Sequence, residues 1–273
     1  MYGIIDYEKV EITVLEKKAS APIEVVPWTI GQTIFGTLIT LIPWMLFSLY
    51  LVSQGAKSAS PVRLSPQRDL ADSVFVFIVS SLIEAAFLLA PFYFAYKTTR
   101  VSALLEHRQS MWFVLGLRKF NVAMSLALVL LLFIAFIFIN DIYSILISTF
   151  HLHLQTNDQV ILQESKNAPF STYATLFVSV FVAPICEEMF FRGFVFMGLL
   201  RAMPVWAAIL LSSFLFAIAH VDLGSFAVLF IIGLALAFVR WRTHSLWPCV
   251  LLHLLNNAIG TVLILLVMWG LTR

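Results

Sequence analysis

Long apolar runs separated by short polar connections set the pattern of this chain. Residues 28–52, 72–96 and 121–147 each form one such run. From residue 170 onward the apolar character is nearly continuous, broken only at Glu187, Glu188 and Arg192, at Arg201 with Pro204, between His220 and Gly224, and at 240–245. A helix that crosses the hydrocarbon core of a bilayer needs about 20 apolar residues. The pattern therefore predicts three spanning helices in the first half and four more at 170–201, 204–220, 225–241 and 245–271, about seven in all. Six to eight is the expected range, the eighth arising if Gly260 breaks the last run. The fold class is all-α, a polytopic transmembrane helical bundle. It reads as one integral membrane domain, with an extramembrane segment at 1–27, N-terminal helices and loops over 28–169, and a C-terminal helical core over 170–273.

Composition agrees, with 61% hydrophobic and 12% charged residues, far from the balance of a water-soluble domain. The first 27 residues mix charges and no small-residue cleavage pattern follows the first run, so the first helix is expected to remain as an anchor. The connection over 97–120 carries Lys97, Arg100, Arg108, Arg118 and Lys119 against Glu106, whereas Asp141, Asp158 and Glu164 outnumber Lys166 after the third run. The positive-inside rule puts the first connection, with Arg201, Arg240 and Arg242, in the cytoplasm and the second outside. Lys57, Arg63 and Arg68 run against that assignment. Trp28, Trp44 and Trp247 read as interface anchors, and the many Phe side chains as packing or lipid-facing groups. Cys186 and Cys249 form no C-x-x-C pair and read as buried thiols. Basic residues are few and dispersed, so nucleic acid is not an expected partner.

Against this background the polar residues inside the apolar runs stand out, because each ionisable group at the bilayer centre costs about 2.5–3.5 kcal/mol on insertion scales. Glu188 and Arg192, Phe216 and His220, and His253 and Asn257 are each four residues apart, so each pair shares a helix face. Adjacent residues differ by about 100°, so Glu187 and Glu188 point to different neighbours. Counted from the presumed cytoplasmic ends at about 1.5 Å per residue, Glu187, His220, His253 and Asn257 lie roughly 21, 24, 12 and 18 Å deep. That overlap favours one shared polar site over several isolated buried groups. A buried carboxylate beside an imidazole can hold a water and take its proton, and a second imidazole and an amide can donate to an oxyanion. These are the parts for peptide hydrolysis by water. No H-E-x-x-H zinc pair, nucleophile-type serine pattern or opposed aspartate pair accompanies them, and no metal or cofactor is expected.

The three motifs E-E-x-x-x-R (Glu187, Glu188, Arg192), F-x-x-x-H (Phe216, His220) and H-x-x-x-N (His253, Asn257), in this order, resemble the signatures of the CAAX prenyl protease and bacteriocin-processing family of glutamate-type intramembrane proteases. The stretches FFRGFVF, SSFLFAIAH and SLWPCVLLHLLNN are similar to it too. The resemblance covers residues 184–257. It implies a metal-independent endopeptidase in which Glu187 is the general base and His220 helps bind and activate the water. His253 and Asn257 would stabilise the oxyanion, and Glu188, Arg192 and Phe216 would support the site. It also implies a peptide or protein substrate, prenylated or otherwise membrane-associated, and a bilayer as environment. The expected location is a prokaryotic plasma membrane, crossed several times. Family members divide between trimming prenylated tails and roles in bacteriocin maturation or immunity, and the motifs do not separate these.

Plainer readings stand beside these. Glu188 and Arg192 read as a helix-surface ion pair at the membrane boundary. Asn256 reads as a helix-packing hydrogen bonder. Glu84 could line a substrate path or pair with a base elsewhere. His151 and His153 have a metal-like spacing but no further ligands near in sequence, and read as a solvated loop. For the whole chain, a non-enzymatic immunity or scaffold protein is the alternative function. A proton-coupled transporter is weaker, since no paired broken helices repeat in the two halves.

Overall fold

The computed structural model describes residues 26, 28–55, 63–102, 110–152, 154 and 156–271. The readings made for residues 1–25 and 27, Lys57, Glu106, Arg108 and His153 lie outside them.

The described residues form helices joined by short turns. Helix α1 is Ile30–Gly55; Thr29 Oγ1 accepts from the Gln32 amide at 3.2 Å and Gln32 Oε1 from the Thr29 amide at 2.8 Å, a reciprocal cap on its first turn. Helix α2 is Pro66–Ala85, started by Ser65 as cap and proline in the first turn. A tight turn at Ala86–Leu88 carries it into α3, Leu89–Ser102. After the short α4, Met111–Val114, and α5, Val122–Thr149, the surface helix α6, Asn157–Ser165, is capped by Thr156 and Gln159.

Residues 169–199 then run as one rod with two widened turns. Helix α7, Pro169–Phe177, passes through a π-helical turn at Val178–Val182 into α8, Ala183–Glu188; a second π-helical turn at Met189–Val195 leads to α9, Phe196–Leu199. Pro184 explains the first: it has no N–H for the Val180 carbonyl and its ring crowds that carbonyl, and widening the turn relieves both. The bundle is completed by α10, Val205–Ala219, α11, Phe226–Thr243, and α12, Trp247–Met268.

Among the described residues, six helical stretches are long and apolar enough to span a bilayer: Ile30–Leu51, Pro66–Lys97, Val122–Thr149, Pro169–Leu199, Phe226–Thr243 and Trp247–Met268. The chain is a multi-pass integral membrane protein. Helix α10, apolar but only 15 residues long, covers about 22 Å and stops short of the full hydrocarbon thickness. The six stretches are one fewer than the seven the apolar runs predict and fall within the expected range of six to eight; the run at 204–220 is the one that falls short. Helix α12 continues unbroken through Gly260, so the eighth helix does not form.

The outward faces of α1, α2 and α5 present Phe35, Leu46, Phe75 and Leu131, all more than half exposed. An apolar surface that continuous suits lipid, not water. Inside, Phe190, Phe191, Phe194 and Phe196 have no exposure. Phe194 stacks on Phe94 at 5.4 Å and meets Trp28 at 5.2 Å, and Phe190 meets Phe87 at 5.3 Å. Trp28 is therefore a fully buried core residue, not an interface anchor. Trp44 is also turned inward, its indole N–H donating to the Ala219 carbonyl at 2.7 Å. Trp247 keeps half its surface, as an anchor should. Cys186 and Cys249 are buried free thiols.

Two contacts hold the C-terminal helices in register. Buried Asp69 accepts from the Phe170 and Ser171 amides at 2.7 and 3.1 Å, tying α2 to the first turn of α7 and placing a carboxylate where a helix N-terminus favours one. Gly233 lets α11 approach α10 so closely that a Cβ there would stand 3.0 Å from Ser213 Cα.

Candidate active site

The central rod, α10 and α12 bring all seven motif residues together. At the end of α8, Glu187 and Glu188 diverge, as adjacent helical positions must. Glu188 turns into the protein with no exposure. Its Oε1 accepts from Arg192 Nη1 at 2.8 Å and from His253 Nδ1 at 3.0 Å. The other arm of the Arg192 guanidinium donates to the Gly233 carbonyl at 3.1 Å. The pair is thus no surface ion pair at the membrane boundary. Both side chains are completely buried, and Arg192 bridges the rod to α11.

Glu187 faces the other way, into a cavity of about 850 Å³. It is 8% exposed, and its Oε2 has no hydrogen-bond partner. His220 Nε2 lies 3.8 Å from that oxygen. The opposite ring nitrogen, Nδ1, is 2.8 Å from the Phe216 carbonyl. A carbonyl only accepts, so Nδ1 carries the proton and Nε2 presents its lone pair toward Glu187 when the ring is neutral. The F-x-x-x-H spacing therefore has a direct use: the first residue's backbone orients the second residue's ring.

Phe216 has a second use. Its ring is fully buried, with the His220 ring centroid 4.7 Å away, the His253 ring at 5.7 Å and the Arg192 guanidinium carbon 4.4 Å above it. One aromatic side chain thus spaces both histidines and the buried cation.

On α12, His253 and Asn257 both line the cavity. The Asn257 amide nitrogen donates to the Ser179 carbonyl at 2.9 Å and its Oδ1 accepts from Asn256 at 3.3 Å. One amide N–H of Asn257 is left over from these bonds. Asn256 thus bonds its neighbour within α12, not a residue of another helix. The acceptor, Ser179, sits in the first π-helical turn, an irregularity often found at functional sites.

Glu84 of α2 lines the same cavity, and its Oε2 is buried without a hydrogen-bond partner. His151 is exposed in the loop beyond α5. Ser179, Asp69 and Asp222 carry no role in the reading of the sequence. Ser179 acts through its backbone, which leaves no residue-type signal. Asp69 stood in a stretch read as a connection, three residues ahead of the first helix boundary assigned there.

The family model for type II CAAX prenyl endopeptidase Rce1-like proteins matches residues 169–259. That segment runs from the start of α7 into α12 and contains all seven motif residues; Glu84 of the cavity wall lies outside it. The C-terminal core is therefore similar to the CAAX prenyl endopeptidase family, the resemblance that the three motifs carry. A Bacillus subtilis (strain 168) protein named "Putative membrane peptidase YdiL" is 32% identical over 107 residues, which is 39% of this chain and 42% of that protein. An uncharacterized protein of Mycoplasma capricolum subsp. capricolum is 32% identical over 146 residues, 48% of this chain and 41% of that protein. The chain thus spans less than half the length of either relative. No solved structure matches it significantly.

Proposed function

We propose that the chain is an intramembrane endopeptidase that hydrolyses a peptide bond with a water activated by Glu187 and His220. The observation that carries this reading is the 3.8 Å separation of Glu187 Oε2 and His220 Nε2 at the wall of the cavity. It is too long for a direct hydrogen bond and short enough for one water to bond both atoms.

In the proposed cycle the water gives one hydrogen bond to each acceptor. Its oxygen attacks the substrate carbonyl carbon as the Glu187 carboxylate takes a proton. The carbonyl oxygen becomes an oxyanion that accepts from the spare amide N–H of Asn257 and from Nε2–H of His253. Donation by His253 requires the ring to carry both protons, because Nδ1–H is directed at Glu188. The C–N bond then breaks, and the proton held by Glu187 passes to the leaving amine. The products are a free acid and a free amine, and the cycle uses no cofactor.

The geometry also favours Glu187 over Glu188 as base. Glu188 does not line the cavity, and one of its oxygens is shared by Arg192 and His253. Its role is to hold those two side chains. The substrate is a peptide or protein reaching the cavity from the membrane or its surface, prenylated or otherwise membrane-associated. Two bacterial relatives support a prokaryotic plasma membrane as the location.

The test in cells compares the peptide termini found with the wild-type protein and with Glu187→Ala at equal membrane levels. Termini present only with the wild type support the reading. Identical termini in both would reject it, and an immunity or scaffold phenotype that survives the substitution would favour the non-enzymatic alternative.

A further inference from the structure

The cavity wall is rich in acidic side chains, and its basic side chains among the described residues are the imidazoles of His220 and His253. Five carboxylates line it: Glu84 and Glu187 within the bundle, and Asp141, Asp158 and Asp222 toward α6 and the end of α5. Among the described residues no Lys or Arg lines it. Bases near the same end lie outside the wall: Arg68 is paired with Asp72 on the surface at 3.8 Å, and Arg63 and Lys166 are exposed. Arg192 stands behind Glu188 and contributes no atom to the lining.

Two of the five carboxylates are already engaged or solvated. Asp222 accepts from the Asn157 and Ser225 amides at 2.9 Å each, which fastens α6 to the turn after α10. Asp141 is exposed at the mouth. Deeper in, the oxygens Glu84 Oε2 and Glu187 Oε2 are buried with no hydrogen bond, and Glu187 is more than nine-tenths buried. Buried polar atoms without partners call for a partner from outside. The water of the proposed cycle serves Glu187, while Glu84 has no assigned donor.

We propose that this cavity selects a peptide carrying Lys or Arg close to the scissile bond and disfavours a segment that ends in a free carboxylate. The proposal rests on the endopeptidase reading for the meaning of the scissile bond, and on the cavity lining alone for the charge preference. A lysine or arginine stem can lie along Phe133, Ile137 and Val228, with its charged head reaching the carboxylates. A terminal carboxylate in the same place would meet the acidic side chains of the mouth, Asp141, Asp158 and Asp222, with no Lys or Arg in the wall among the described residues. The mouth already shows the cost of like charge: Asp158 is held above the usual carboxylate range by burial and, after that, by the charge of Asp222.

The experiment uses the full chain in nanodiscs of zwitterionic lipid, so that the bilayer does not itself attract basic peptides. Four fluorescent peptides share one apolar segment: flanked by Lys and amidated, flanked by Gln and amidated, flanked by Glu and amidated, and flanked by Gln with a free C-terminal carboxylate. Binding is read by anisotropy, with empty nanodiscs as control, and cleavage of the same peptides by mass spectrometry. The Lys peptide is expected to bind about tenfold more tightly than the Gln peptide, with the Glu and free-carboxylate peptides weakest. The Asp141→Asn/Asp158→Asn variant is expected to lose about half or more of the Lys-over-Gln ratio. Equal binding of all four peptides, or a ratio unchanged in that variant, overturns the charge selection whatever is cleaved. Selective binding with no peptide cleaved leaves the charge selection standing and overturns the endopeptidase reading.

Discussion

Nε2 of His220 stands 3.8 Å from Oε2 of Glu187, with its ring turned by the bond from Nδ1 to the Phe216 carbonyl. If these two atoms share the attacking water, either substitution removes the base or its partner without removing a packing group of the core. Glu187→Gln and His220→Ala are expected to lower kcat/KM on a cleaved peptide by about 10²- to 10⁴-fold. Thermal unfolding in detergent should move by only a few degrees.

Glu188 and Arg192 should behave in the opposite way. Removing one partner of a fully buried pair leaves an uncompensated charge and costs about 3–5 kcal/mol. Glu188→Gln and Arg192→Met are each expected to destabilise by that order in a reversible unfolding assay. The double variant should recover part of the loss, since neither charge then remains alone. Arg192→Lys should not restore the wild type, because one ammonium cannot reach both Glu188 and the Gly233 carbonyl in the guanidinium's two-armed geometry.

Much of this division was legible in the sequence. Adjacent glutamates must diverge on a helix, and the four-residue spacing of Glu188 and Arg192 named the buried pair. Its burial was not legible: the spacing is the same for a surface pair, and only the packing of Phe216 over Arg192 removes it from water. The apolar runs marked the spanning helices, but hydropathy carries no information on which face a tryptophan presents. Trp28 and Trp44 were therefore misread as interface anchors. The π-helical turns left a trace only at Pro184. The Ser179 carbonyl that holds Asn257 left none, since any residue supplies a carbonyl.

Asn257 offers a sharper test of the oxyanion role. Its amide is held at both ends by Ser179 and Asn256, so Asn257→Asp keeps the size and removes the donor. The expected result is a fall in kcat of about 10²- to 10³-fold with KM little changed. A change confined to KM would assign Asn257 to substrate binding instead.

The mouth of the cavity predicts a pH dependence of stability. Asp158 has its pKa raised above the model-peptide value of 3.8, by burial first and Asp222 second. A raised carboxylate pKa means that the folded state binds more protons than the unfolded state between the two values, so stability falls as pH rises through that window. Above it the full penalty is present. Asp158→Asn is expected to melt higher than the wild type at pH 7 and to lose that advantage toward pH 4. An advantage of the same size at both pH values would contradict the ionisation account.

The most direct measurement uses purified wild-type and Glu187→Gln protein, both reconstituted in lipid and matched for melting temperature, incubated with a membrane-peptide library and analysed for new termini. The account predicts cleavage products with the wild type and at least about a hundredfold less with Glu187→Gln. Undiminished cleavage by the folded Glu187→Gln protein would contradict it.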